Sequence, residues 1–162
     1  MSDPAAPRLP HLNATGEARM VDVSAKAVSA RTATARARVR LSLECVAALR
    51  DQTVPKGDAL AVARIAGIQG AKRTSELIPL CHPLFLSGVD VHAEVDDDGV
   101  ALEATVRTTE RTGVEMEALT AVTVAGLTVI DMIKAVDRAA VITDVMVVHK
   151  AGGRSGEWTR DD

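Results

Sequence analysis

A chain of 162 residues, 47% hydrophobic and 25% charged, has the length of one packed domain and is too apolar for disorder. Aromatic residues make up 1% (Phe85, Trp158 and no Tyr), so the core must come from Ala, Val, Leu and Ile, and burial against further copies of the chain would add to a modest subunit core. A net charge of −3 without stacking platforms excludes a broad nucleic-acid surface, and two cysteines, Cys45 and Cys81, exclude a disulfide framework.

Residues 1–19, rich in Pro, Ala and Gly, predict a flexible lead, followed by a single domain over 20–150 and a Gly-rich, mobile tail over 151–162. The first residues lack the apolar centre of a secretory leader. From Ala33 to Leu43, small apolar residues alternate strictly with Thr34, Arg36, Arg38, Arg40 and Ser42, which predicts a half-buried strand. A short helical turn over Glu44–Leu49 follows. Pro55-Lys56-Gly57-Asp58 reads as a loop whose Asp caps the next helix. That helix runs from Ala59 to about Ala71 and continues toward Ile78 with a break near Gly70. Pro79 and Pro83 make Pro79-Leu80-Cys81-His82-Pro83 a non-helical loop.

Val89, Val91, Ala93 and Val95 alternate with Asp90, His92, Glu94 and Asp96 as a second strand. Asp98-Gly99 turns the chain into a third, with Val100, Leu102, Ala104, Val106 and Thr108 on one face. A long helix is predicted over Val114–Val136. Its Glu115, Glu117, Asp131 and Lys134 argue against a membrane span, and the expected location is the cytoplasm. Val141–Lys150 is β-branched and reads as the fourth strand. The order strand, helix, strand, strand, helix, strand is the split βαβ pattern of an α+β, ferredoxin-like antiparallel sheet with helices on one face.

On the long helix, Glu117, Thr120, Thr128, Asp131, Lys134 and Arg138 share one stripe, and Asp131 and Lys134 are three apart. Spacing alone leaves two readings: a solvated surface ion pair, or a proton-transfer couple. Two prolines aim Cys81 and His82 outward, where a neutral imidazole can donate and accept; no metal-ligand spacing accompanies them, and no metal is expected. Glu115, Met116 and Glu117 open the long helix, where acids suit the dipole or could meet a purine- or pterin-like ring edge. Lys26, Arg31, Lys56, Lys72, Arg73, Lys134 and Lys150 are cations able to hold phosphate, and Gly152-Gly153-Arg154-Ser155-Gly156 could wrap phosphate oxygens. The spacing of an NTPase phosphate-binding loop is absent.

The runs Met20–Lys26, Lys56–Asp58, Ala63–Gln69, Ala71–Thr74, Leu77–Leu84, Thr112–Ala121 and Asp131–Val136 resemble, in order, the cyclic pyranopterin monophosphate synthase family of molybdenum cofactor biosynthesis. The likeness covers about His11 to Gly156. It implies a lyase acting on (8S)-3′,8-cyclo-7,8-dihydroguanosine 5′-triphosphate, in a homohexamer built as a trimer of dimers with active sites between subunits. By motif it implies Asp131 and Lys134 as the acid/base pair and Lys56 as a further catalytic residue. Leu80, Cys81, His82, Glu115, Met116 and Glu117 would contact substrate; Lys72, Arg73, Arg31 and Lys150 would hold phosphates. No protein-bound cofactor is implied beyond Mg²⁺ arriving with the triphosphate. The segment Lys150-Ala151-Gly152-Gly153-Arg154 departs from the family's usual Lys-Ser-Gly-Gly-Lys, which leaves Arg154 without an assigned role. The competing class is a non-catalytic nucleotide-sensing module, which the same fold could host. The enzyme reading requires the acid–amine couple and the Cys81–His82 loop to face one triphosphate-sized cleft lined by cations from neighbouring copies.

Overall fold

Strand β1 (Ser29–Arg40) is the centre of the sheet because its small side chains let both neighbours and a helix approach closely. The computed structural model describes residues 12, 13 and 15–161. Of the expected lead, residues 1–11 and 14 lie outside the described residues. β1 pairs antiparallel with β3 (Gly99–Glu110) along its whole length, from Ser29 opposite Glu110 to Arg40 opposite Gly99. This register sets Ala33 beside Val106, Ala35 beside Ala104, Ala37 beside Leu102 and Val39 beside Val100, all buried on one face. The opposite face carries Arg36 against Glu103 at 2.8 Å and the hydroxyls of Thr34 and Thr105 at 2.8 Å. β2 (Leu86–Val95) flanks β3, and β4 (Val141–Ala151) flanks β1, giving the order β2-β3-β1-β4-β5. This is the ferredoxin-like α+β sheet that the element order predicts, with helices on one side. The fifth strand, β5 (Trp158–Thr159), has no counterpart in the sequence pattern: two tail residues pair with Lys150 and His149 of β4.

The strand expected to reach Leu43 stops at Arg40. Ser42 instead caps helix α1 (Leu43–Arg50), its hydroxyl accepting from the Cys45 N–H at 3.3 Å, so Leu43 enters the helix and is exposed. Asp58 caps α2 (Ala59–Lys72) by accepting from the Ala61 N–H at 2.9 Å, as its position predicts. The break after α2 falls at Arg73 rather than Gly70. Buried Thr74 bonds back to the carbonyl of Ala71 at 3.0 Å and starts the short α3 (Thr74–Leu77).

Helix α4 (Glu115–Ile133) is shorter than the predicted Val114–Val136. The chain turns after it, with Val136 and Asp137 N–H groups both returning to the Ile133 carbonyl. Buried Asp137 then accepts from the backbone N–H of Ser42 at 2.6 Å and of Ala139 at 2.9 Å, and those bonds hold its carboxyl below the usual range. α4 is long and apolar enough to cross a membrane by composition alone, but its Ala118, Ala121, Val122, Ala125 and Val129 are buried against the sheet and α2. The α2–α4 contact closes over Gly70, where an added Cβ would stand 2.9 Å from Val124 Cβ.

Gly70→Ala should therefore lower the unfolding free energy by about 1–3 kcal/mol, because overpacking outweighs the ~1 kcal/mol helix-propensity gain of Ala. Denaturant unfolding of both chains measures this; equal or greater stability of the variant would show that the helices can separate at little cost.

Candidate functional site

The first turn of α4 forms one wall of a cavity of about 510 Å³. The opposite walls are Val21 and Val23, ahead of β1, and the loop from Ile78 to Leu84. The two prolines of that loop exclude helix, and the Cys81 N–H turns back to the Ile78 carbonyl at 3.1 Å. His82 Nε2 lies 2.7 Å from the Val21 carbonyl oxygen. A carbonyl only accepts, so Nε2 carries the proton and donates, leaving Nδ1 as the ring's other polar atom. Leu80, Cys81, His82, Glu115, Met116 and Glu117, singled out from sequence, all line this one cavity.

Glu117 is 4% exposed yet lines the cavity. Burial pushes its carboxyl up to about 7, against the pull of its own backbone N–H, and the charge of Glu115 adds to the rise. Burial also raises the Cys81 thiol, with Glu117 contributing, so Cys81 packs as a thiol rather than a thiolate.

Glu115 also borders a second, polar cavity of about 170 Å³, shared with Lys26, Thr112 and Gly113. There Lys150 Nζ donates to Glu115 Oε1 at 2.9 Å. Arg31 is fixed by donating to the carbonyls of Glu110 (Nε, 3.0 Å) and Arg111 (Nη2, 3.2 Å), and Arg111 Nε donates to the Lys26 carbonyl at 3.0 Å. Lys26 and Arg31 border a third cavity of about 500 Å³ together with Ser29, Arg154 and Ser155.

At the other end of α4, Asp131 sits between two ammonium groups: Lys134 Nζ at 2.8 Å from Oδ1 and Lys56 Nζ at 2.8 Å from Oδ2. Lys56 comes from the loop that leads into α2, whose end is fixed by the Asp58 cap. The hydrogen bond from Lys134 first, and that from Lys56 next, push the Asp131 carboxyl down to about 2. All three side chains are exposed, at 42–60%.

Fourteen residues of helix separate Asp131 from Glu117, roughly 20 Å along the axis. The common cleft expected for the acid–amine couple and the Cys81–His82 loop is thus not formed within one chain. The reason is geometric: the stripe runs the length of α4, and a stripe does not gather its ends. Lys72 and Arg73 also stand apart. Lys72 borders a separate cleft with Ile68 and Phe85, and Arg73 lies 4.0 Å from Glu76. Arg31 and Lys150 do reach the polar cavity, as assigned. Lys26, one of the cations the sequence offers for phosphate, joins them, and so does Arg111, which the sequence reading does not single out. Arg111 has no sequence signal beyond preceding Thr112-Gly113. Among the described residues no three His, Cys, Asp or Glu side chains gather as a metal site.

Comparison with known proteins agrees with the resemblance read from the motifs. The MoaC family model matches residues 20–153. A cyclic pyranopterin monophosphate synthase of Streptomyces avermitilis is 66% identical, covering 97% of this chain and 92% of the relative. One from Nocardioides is 64% identical over 94% of this chain and 96% of the relative. Cyclic pyranopterin monophosphate synthase 2 of Mycobacterium tuberculosis is 57% identical over 98% and 95%. With a family match spanning β1 to β4, both long helices and the loop from Ile78 to Leu84, the chain belongs to the MoaC family.

Proposed function

We propose that this chain converts (8S)-3′,8-cyclo-7,8-dihydroguanosine 5′-triphosphate to cyclic pyranopterin monophosphate and diphosphate; its relatives are named as synthases of that monophosphate. The observation that carries this reading is a largely apolar, ligand-sized cavity with one buried carboxyl, opening onto cationic cavities, in a chain so similar to those enzymes.

The guanine-derived ring occupies the large cavity and the phosphates extend toward Arg31 and Lys150. Ring opening and reclosure move protons on and off nitrogen and carbon; Glu117, with its carboxyl near pH 7, can both give and take a proton there. A substrate hydroxyl attacks the α-phosphorus, the bond from that phosphorus to the bridging oxygen breaks, and diphosphate leaves with the negative charge that the cations stabilise. Mg²⁺ arrives with the triphosphate and the protein brings no cofactor of its own.

Asp131, Lys134 and Lys56 serve as the acid/base group of a neighbouring copy's cavity. This requires an assembly, which we take to be a homohexamer, a trimer of dimers, in the cytoplasm. Phe85, Ile65 and Leu77, each more than half exposed, support burial against other copies. A nucleotide sensor would need the cavity but not a carboxylate gripped by two exposed lysines.

Incubation with the cyclic dihydro-GTP separates the two classes: an enzyme releases diphosphate, a sensor binds and releases none. Lys134→Ala or Asp131→Ala should lower diphosphate release at least about 100-fold, the usual scale of lost acid/base catalysis, with assembly size unchanged. Undiminished release by either variant removes that residue from the chemistry.

Glu117 also makes stability depend on pH. Its folded carboxyl titrates near 7 and its unfolded one near 4.5, so between those values the folded chain holds a proton that the unfolded chain has lost. Stability from this group is complete below about pH 4.5 and is lost as pH rises through about 7. Glu117→Gln should remove that loss, gaining on the natural chain by up to about 3 kcal/mol between pH 4.5 and pH 8 in denaturant unfolding. Parallel pH curves for the two chains would mean that the carboxyl is not desolvated.

A further inference from the structure

The chain leaves β4 at Ala151 and returns to the same strand at Trp158, so residues 152–157 form a loop fastened at both ends. Gly152, Gly153 and Gly156 have positive φ, 99°, 71° and 67°, and together they reverse the chain. The loop lies against the start of β1: a Cβ added at Gly152 would strike the Ala30 carbonyl, and one at Gly153 the Arg31 guanidinium. Gly152 and Ser155 line the 170 Å³ cavity, and Gly153, Arg154 and Ser155 line the 500 Å³ cavity.

That conformation is costly in entropy. Glycine loses more backbone freedom on ordering than any other residue. The loop's own hydrogen bond, from the Gly156 N–H to the Gly153 carbonyl, is long at 3.4 Å, and Arg154, Ser155, Gly156 and Glu157 are exposed. Burial within the loop therefore does not hold it in shape.

The contacts that can hold it follow directly after it. Trp158 and Thr159 pair with Lys150 and His149. The Arg160 N–H donates to the Val148 carbonyl at 2.9 Å, and its Nε donates to the Val147 carbonyl at 2.9 Å. Its guanidinium carbon stands 5.6 Å from the centre of the Trp158 ring, within cation–π range. His149 Nε2 lies 3.1 Å from Glu157 Oε1. Neither Trp158 nor Arg160 lines any of the three cavities around the start of α4; these contacts are to β4 and to each other. They grip β4 at Lys150, the residue that reaches Glu115 in the first turn of α4. A strand of two residues adds little to a sheet, and its place at the end of a glycine loop gives it another use.

We propose that β5 is a clasp and that Arg160 is its positioning residue: by returning the chain to β4, it holds the glycine loop against Ala30 and Arg31 in the form that lines the cavities. With the clasp open, the loop becomes a free glycine-rich tail with many more conformations. Substrate then has to select the closed fraction, and apparent affinity falls by that fraction. The identity of what enters the cavities rests on the proposed reaction; the clasp itself rests on the contacts between β4 and the tail.

Truncation after Glu157, Arg160→Ala and Arg160→Lys test it. Limited trypsin digestion, read by mass at Arg154, reports how often the loop opens. Cleavage there should be about tenfold faster or more after truncation and about threefold faster in Arg160→Ala, with the denaturant midpoint of the whole chain unchanged. Arg160→Lys keeps a donor and a cation and should cut more slowly than Arg160→Ala. In turnover of the cyclic dihydro-GTP, KM should rise about tenfold in the truncated chain while kcat stays within about threefold. Arg160→Ala, one exposed residue changed at full chain length, should move KM in the same direction. Equal cleavage at Arg154 in the natural and truncated chains overturns the clasp. Faster cleavage with unchanged KM overturns its service to substrate. If the natural chain releases no diphosphate, the proposed reaction fails, while faster cleavage at Arg154 in the truncated chain still supports the clasp.

Discussion

The scarcity of large side chains governs this structure. With a core almost wholly of Ala and Val, buried area per residue is small, and stability must come from close approach. The consequences are visible at the contacts. Ala33, Ala35 and Ala37 bring β1 under α4, and Gly67 and Gly70 bring α2 against it. Such a contact does not tolerate sliding, because each small residue admits one neighbour. α4 is consequently fixed in position and rotation by the sheet on one side and by α2 on the other. Its two ends hold chemistry of opposite kinds, and their separation is a property of the core rather than of the site.

Two carboxyls on this one helix show how environment decides protonation. Glu117 lies in the first turn, where the helix dipole favours the charged form by about 0.3–1 kcal/mol, and by about 2 in the best cases. A rise from 4.5 to about 7 corresponds to roughly 3 kcal/mol in the other direction. Burial wins over the dipole, and the group is poised at neutral pH. Asp131 sits near the end of the helix, where the dipole disfavours a negative charge, yet two ammonium groups at 2.8 Å drive it down to about 2. Local hydrogen bonds win over the dipole there. Acidic residues in a first turn are commonplace; what sets Glu117 apart is that its turn points into a cavity.

Legibility from sequence followed the range of the interaction. Alternation in β1 and β3 depends on which face meets the core, so Ala33, Ala35, Ala37, Leu102 and Val106 could be placed by pattern. Asp58 as a cap and Pro79–Pro83 as a loop are local chemistry and were equally readable. Leu43 was misplaced because Ser42 can continue a strand or cap a helix, and the Asp137 carboxylate, 95 residues away, receives its N–H. The pairing of Lys150 with Glu115, and the separation of Lys72 and Arg73 from the cationic cavities, depend on tertiary neighbours that no spacing encodes. Motif resemblance singled out residues around Cys81 and Glu117 that the fold brings into one cavity. It could not show that Asp131 lies a helix-length away, because a motif records which residues recur and not how far apart the fold sets them.

That separation bears on the proton traffic of the proposed reaction. A carboxylate held near 2 has no proton to give at neutral pH, so Asp131 acts there by holding Lys56 and Lys134 rather than as the acid itself. In the proposed reaction the two ammonium groups, each held by a hydrogen bond to that carboxylate, are the proton donors. An incoming substrate that competes for Asp131, or brings its own basic atom within reach of an ammonium, alters that balance only at the moment of contact. Glu117 needs no such trigger, since its two protonation states are already close in energy inside the cavity. One chain thus supplies a group ready to exchange protons at one end of α4 and a group held in reserve at the other. In the proposed assembly a cavity acquires its lysines only when a neighbour docks, which ties the chemistry to complete assembly and leaves an isolated subunit able to hold the ring but not to transform it.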